Sequence, residues 1–472
     1  MFGWLAGKIL VSKEFTCLSL ISIERCEKKM PLHIIPRDRE HDEIIQQDES
    51  LWATHNVHDP SIYKEGDWYY VFSTDAQEGG TFKAGIQIRK SKDLVNWQWV
   101  GRAFTEVPGP AKNWTGAVGL WAPDVTKFGD TYYLYYAASQ FGKTQSFIGV
   151  ATSTHIEGPW IDKGEVVKTE QDEGPNAIDP NISIDEKGDP WMVYGSFFGG
   201  IFLARINSAT GKLEEEGKGK LIAKRHASVE GAIEGPYIVY NPHFEYYYLF
   251  VSYDSLFSSY HIRVARAKKI EGPYVDFKGH EMTNTELPPN DIGMKVLGSY
   301  QFDGGPGWMA PGHNSILKDQ EDYFVVHHVR IEGKKGHYLH VRKIGWTEDG
   351  WPLVSPQRFV GEQDRLVDMD DVEGNWECIY FDKDNANKVT ALNIYFSIHH
   401  TNSSVYVVEQ RAGNNFTLTS SHYPSVDGIV KLGWDWEKWV ETVVFMGKDI
   451  EGNVMVGKRI AKAVEACDKH IE

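Results

Sequence analysis

The sequence predicts an all-β protein, a five-bladed β-propeller followed by a small antiparallel β-barrel or sandwich. Three observations carry this. One strand–turn–strand pattern occurs five times, the copies begin about 55 to 80 residues apart, and long amphipathic helical patterns are few between them. The copies are HDPSIYKEGDWYYVFST (58–74), WAPDVTKFGDTYYLYYAAS (121–139), IDPNISIDEKGDPWMVYGS (178–196), EGPYIVYNPHFEYYYLFVS (234–252) and GHNSILKDQEDYFVVHHV (312–329). Each reads as a short strand, a tight polar turn and a second strand rich in Tyr, Phe and Val. Third-strand echoes follow at GVATSTHIEGPW (149–160) and RVARAKKIEGPY (263–274), with a looser version at 85–97. That spacing suits a four-stranded antiparallel blade with loops of variable length.

The 472 residues exceed one ordinary core, so more than one domain is expected. We divide the chain into an N-terminal extension and lead-in (1–50), the propeller (51–358) and a C-terminal β-domain (359–472). The acidic stretch GEQDRLVDMDD (361–371) reads as a linker. Beyond it, alternating runs such as VTALNIYFSI (389–398), GIVKLGW (428–434) and VETVVFM (440–446) are separated by turn signals. This domain carries no acid cluster, and a buttressing role suits it better than sugar binding.

The formal net charge of −17 disfavours nucleic acid and anionic membranes as partners. No apolar run reaches the roughly 18–20 residues of a membrane span. Cys17, Cys26, Cys378 and Cys467 are widely spaced and form neither a disulfide framework nor a zinc motif. Residues 15–23 (FTCLSLISI) resemble a short signal-peptide core, but charged residues flank them and no small-residue cleavage site follows. Met30 is an alternative start. A monomer in the cytoplasm is the expectation, with secretion as the alternative.

Aligning the repeats on their β-branched residues (Ile62, Val125, Ile182, Ile238, Ile316) places Asp59, Ala122, Asp179, Gly235 and His313 at one register position, three residues earlier. The first strand of a propeller blade lines the central channel, so this register aims two carboxylates and a histidine at one axis. Glu234 stands one step earlier, beside the same mouth. Charged groups there are costly to desolvate, and a purely structural channel would favour small or apolar residues. Glycoside hydrolysis needs what this arrangement offers: one carboxyl that protonates the leaving oxygen and a second that activates water or attacks the sugar. Asp59 is assigned as base, Glu234 as acid, and Asp179 as the group whose charge raises and orients Glu234. Glu-Gly-Pro also occurs at Glu157 and Glu271, but those follow third strands and belong to outer turns.

His58-Asp59-Pro60-Ser61, Leu120-Trp121-Ala122-Pro123-Asp124, Asn176-Ala177-Ile178-Asp179-Pro180-Asn181, Glu234-Gly235-Pro236-Tyr237 and Gly312-His313-Asn314, in this order and spacing, resemble glycoside hydrolase family 43. They are most similar to its endo-1,5-α-L-arabinanases with an added C-terminal β-domain. The resemblance implies an inverting mechanism on arabinan. It also implies a metal near the channel centre, usually calcium, held by His313 and waters. From residue chemistry alone His313 is a hydrogen-bonded core histidine, because calcium prefers oxygen. His327 and His328 are assigned to packing. Trp121 either packs the blade or, as the resemblance implies, stacks on substrate. His58, Asn181, Ser196 and Phe141 are further candidates for substrate contact, and Asp124 is expected to make structural hydrogen bonds. The alternatives are an exo-acting arabinofuranosidase or β-xylosidase of the same fold, a retaining glycosidase or transferase on it, and a non-catalytic sugar-binding propeller.

Overall fold

The structure, a computed structural model, describes residues 35–399 and 406–461. Residues 15–23, Met30, Cys17, Cys26 and Cys467 lie outside them.

Five antiparallel sheets follow one another along the chain. Blade 1 is built from Ser61–Glu65, Trp68–Ser73, Gln87–Ser91 and Gln98–Arg102. Blade 2 is Trp121–Phe128, Thr131–Ala138, Ser146–Ser153 and Ile161–Thr169. Asn181–Ile184, Pro190–Tyr194, Ile201–Asn207 and Lys220–Ala223 make blade 3. Blade 4 is Ile233–Asn241, Tyr246–Tyr253, His261–Ala267 and Met294–Leu297, and blade 5 is Trp308–Asp319, Asp322–Ile331, Tyr338–Trp346 and Pro352–Val354. The aromatic second strands are buried along most of their length, because each is covered by a sheet on either side. Blade 5 meets the start of blade 1 through a single bridge, His55 to Tyr338, with the Leu339 N–H donating to the Thr54 carbonyl at 2.8 Å.

Polar side chains two residues past the register position tie neighbouring blades together. The Ser61 hydroxyl donates to Asp124 Oδ1 at 2.5 Å. Asp124 Oδ2 accepts from the Ile182 N–H at 2.7 Å and from Asn181 Nδ2 at 3.2 Å. Asn181 Oδ1 accepts from the Ile238 N–H at 3.0 Å. This run crosses blades 1 to 4 and gives Asp124 the structural role expected of it. Burial pushes the Asp124 carboxyl up to about 6, and its hydrogen-bond donors only partly offset this.

The C-terminal unit closes as a seven-stranded barrel: Gly374–Phe381, Leu392–Ser397, Tyr406–Gln410, Asn415–Thr419, Val426–Asp435, Val440–Lys448 and Val454–Arg459. One pair, Leu392–Ser397 with Tyr406–Gln410, is parallel, so the barrel is not wholly antiparallel. Alternation along a strand fixes which face is buried but not the direction of its partner. The acidic stretch before the barrel is pinned rather than loose. Asp364 takes Lys343 at 3.0 Å and also Lys431, and Glu362 is buried. Ile429 and Met446 of the barrel share one core with Trp351 and Leu353 of blade 5. Gly345 permits this approach, since a Cβ there would stand 1.9 Å from Ile429 Cδ1.

Candidate active site

The register that the repeats define is a physical feature of the backbone. Asp59, Asp179 and Gly235 have φ of +50°, +58° and +58°, so three blades enter their first strand through the same left-handed kink. Such a conformation is strained for an aspartate and is commonly held by surrounding contacts at functional sites. Here the Asp59 N–H donates to Nδ1 of the fully buried His328 at 3.2 Å. Blade 4 has glycine for a second reason. A Cβ on Gly235 would lie 2.9 Å from His313 Cγ, so its absence lets the imidazole reach the axis. The carboxyl of this blade is carried one residue earlier, on Glu234.

Asp59, Asp179, Glu234 and His313 come together at one mouth. His313 Nδ1 is 3.6 Å from Asp59 Oδ1 and 3.8 Å from Asp179 Oδ2. Asp59 Oδ2 accepts from the Thr74 hydroxyl at 2.6 Å and faces His58 Nδ1 at 2.8 Å. The His58 ring stacks on His328 with centroids 4.0 Å apart. Burial pushes the Asp59 carboxyl up, but His58 and the Thr74 hydroxyl outweigh it and hold the group well below the usual carboxylate range. These contacts favour the carboxylate form of Asp59.

The other two acids behave oppositely. Burial, followed by the charges of Glu234 and Asp59, drives Asp179 well above its ordinary value, although it accepts from the Gly235 N–H at 3.1 Å. Glu234 is also raised, by burial first and by the Asp59 charge, against hydrogen bonds from Tyr260 and Ser196 that favour its ionised form. The Ser196 hydroxyl donates to Glu234 Oε2 at 2.8 Å. One carboxyl held below the ordinary range beside two that burial and like charge raise is the division that acid–base chemistry on a glycosidic bond requires.

The remaining expected contacts are distributed differently. Ser196 is buried and engaged with Glu234, and His58 with Asp59. Asn181 is only 2% exposed, and its amide is engaged between blades with Asp124 and the Ile238 N–H. Trp121 is half-buried at the start of its strand, beside buried Ala122. Phe141 is 75% exposed on the loop after the second strand of blade 2. Glu157 and Glu271 are on the outer surface, Glu157 paired with Lys90 at 2.7 Å. Three residues escaped the sequence reading: Thr74 and Tyr260, which bond the acids directly, and His328, which was assigned to packing and instead bonds the Asp59 backbone. Thr74 closes the first repeat, and Tyr260 immediately precedes the third strand of blade 4, so position in the blade is the signal that points to them.

Among the described residues, His58, Asp59 and His328 form a group with ligand-type atoms within 4.8 Å of one another. His328 Nδ1 already accepts the Asp59 N–H, and His58 Nδ1 is taken up by Asp59. That group is therefore committed to holding the aspartate. His313 is better suited to a cation. Burial lowers its imidazole to about 4, so it is neutral with a free lone pair, and two carboxylic groups stand within 4 Å of it.

The model of glycosyl hydrolases family 43 matches residues 53–352, and that of a C-terminal lipocalin-like domain matches 356–457. The extracellular endo-α-(1→5)-L-arabinanase 2 of Bacillus subtilis is 32% identical over 452 residues, 86% of this chain and 93% of the relative. The extracellular endo-α-(1→5)-L-arabinanase of Thermotoga petrophila is 35% identical over 72% of this chain and 78% of its own length, and the crystal structure of an endo-1,5-α-L-arabinanase from that organism superposes with a TM-score of 0.76. A family 43 glycoside hydrolase of Bacillus licheniformis superposes over 87% of this chain and 99% of its own, at 30% identity and a TM-score of 0.78. These extracellular relatives overturn the cytoplasmic expectation. It rested on a missing cleavage signal and on few cysteines, and an exported propeller with so large a buried core needs no disulfides. A match that runs through all five blades and into the barrel, in a chain whose acids meet where the repeat register aimed them, makes this protein a member of glycosyl hydrolase family 43.

Proposed function

We propose that this protein is an exported, inverting endo-α-1,5-L-arabinanase. The observation that carries the reading is the meeting of Asp59 and Glu234 at one mouth, where the first carboxyl is held low and the second is raised. It is supported by the similarity to arabinanases along most of the chain.

In the mechanism, Glu234 gives its proton to the oxygen that joins two arabinofuranosyl units. The bond from that oxygen to the anomeric carbon breaks. A water on the opposite face of the ring attacks the same carbon and loses its proton to Asp59. One product keeps the transferred proton on its 5-hydroxyl, and the other carries an anomeric hydroxyl of inverted configuration. Thr74, His58 and His328 hold Asp59, Ser196 and Tyr260 hold Glu234, and burial with the charge of Asp59 raises Glu234, while Asp179 stands beside both in mutual repulsion. A divalent cation such as calcium would be held by His313 with waters, and when bound it supplies positive charge beside Asp59 and Asp179. All these groups come from one chain, which suits a monomer.

Chromatography of products from linear arabinan tests the reading. Mixed oligosaccharides early in the reaction are expected. Arabinose alone would indicate exo action, and no cleavage would remove the arabinan reading. Elemental analysis of the purified protein tests the cation: a bound ion that His313→Ala loses is expected, and its absence from fully active protein would reject it.

A further inference from the structure

The sequence reading singled out Phe141, but the structure gives it a partner that no repeat signal announced. Phe257 lies on the loop between the second and third strands of blade 4, and Phe141 on the equivalent loop of blade 2. Loops of this kind rise on the face where first strands begin, which is the face that carries Asp59, Asp179 and Glu234. Blade 3 separates blades 2 and 4, yet the two phenyl rings meet across it, with centroids 6.1 Å apart and planes tilted by 59°. They remain 75% and 61% exposed.

The Phe257 loop is built rather than slack. The Ser258, Ser259 and Tyr260 N–H groups all donate to the Ser255 carbonyl, at 3.1, 3.1 and 2.8 Å. Arg330 donates to the Leu256 carbonyl at 3.1 Å, and its guanidinium stands 5.4 Å from the Phe257 ring centre. Three residues on, Tyr260 hydrogen-bonds Glu234. Through this firmly held loop, the exposed pair of phenyl rings is continuous with the acid pocket. Its tilted faces suit the apolar C–H face of a sugar ring, and polar or charged ligands would gain little from it.

We propose that Phe257 is a substrate-binding residue. With Phe141 it forms a two-ring aromatic saddle that takes an arabinofuranosyl unit of the same chain, away from the bond being cut. This rests on the arabinan reading above, and it makes affinity depend on chain length.

Steady-state kinetics of the full chain on arabinotriose and arabinohexaose test it, comparing the wild type with Phe257→Ala and Phe257→Trp. Phe257→Ala should raise KM for the hexaose about tenfold, the scale of one lost aromatic contact. Its kcat should stay within about twofold, as expected when binding is lost equally from ground and transition states. The shift on the triose should be much smaller, and Phe257→Trp should restore the hexaose KM. An unchanged hexaose KM in Phe257→Ala overturns the inference. So does an equal loss on both substrates accompanied by a moved pH profile, which would mean disturbance of Tyr260 and Glu234 instead. A wild type that cuts neither oligosaccharide overturns the arabinan reading itself, so the two failures are distinct.

Discussion

Ser196→Ala should move the alkaline limb of the pH–rate profile to higher pH. The Ser196 hydroxyl donates to Glu234 Oε2 at 2.8 Å, in a site where burial has already raised the acid. A donor stabilises the carboxylate more than the neutral acid, so it lowers the pKa, and removing it raises the pKa further. In the proposed mechanism Glu234 is the proton donor, so activity is lost as pH rises through its pKa, and a higher pKa carries that loss upward. A hydrogen bond to a charged group contributes about 1.5–3 kcal/mol, against about 1.4 kcal/mol for each pH unit. The lower end is the better guide, because Tyr260 remains as a second donor. The limb should therefore move up by about one pH unit. The assay is kcat/KM on linear arabinan across pH, with unfolding followed in parallel. A limb that stays in place or moves down would refute the assignment of Glu234 as the acid held by Ser196.

Asp179→Asn should do the reverse, since the like-charge repulsion between Asp179 and Glu234 is mutual and the variant removes it; an alkaline limb that does not fall in its pH–rate profile takes Asp179 out of the tuning role. Gly235→Ala should destabilise the fold by about 2–4 kcal/mol, from a left-handed backbone and from overpacking against His313, and should lower kcat as well. Denaturant unfolding checks this, and wild-type stability in the variant would contradict the packing. Glu157→Gln and Glu271→Gln should change stability by no more than about 0.5 kcal/mol and retain most activity on arabinan, because both side chains lie on the outer surface.

The propeller and its acids were legible because a blade repeats its local chemistry. The entry turns at Asp59 and Asp179 and the strands after them share one pattern, so alignment brings distant residues to one axis. Glu234 was recoverable from the same register, and the structure adds why it sits one step early: Gly235 must leave room for His313. What was not legible depends on contacts between blades. Asn181 adjoins Asp179 in sequence, yet its amide bonds Asp124 and Ile238 of the flanking blades. Ser196 faces Glu234 of the next blade, and His328 reaches Asp59 across the closure of the ring. The parallel strand pair of the barrel also left no trace, because strand direction does not alter the alternation of buried and exposed residues.

In the proposed mechanism Asp59 activates water while Glu234 protonates the leaving oxygen, on opposite faces of the sugar. Proton NMR of the first-formed product tests it most directly, recorded during the early cleavage of linear α-1,5-arabinan, before the anomers equilibrate. The β-anomer is expected at the newly formed reducing end. First appearance of the α-anomer would mean retention through a covalent intermediate, and would contradict the roles given to both residues.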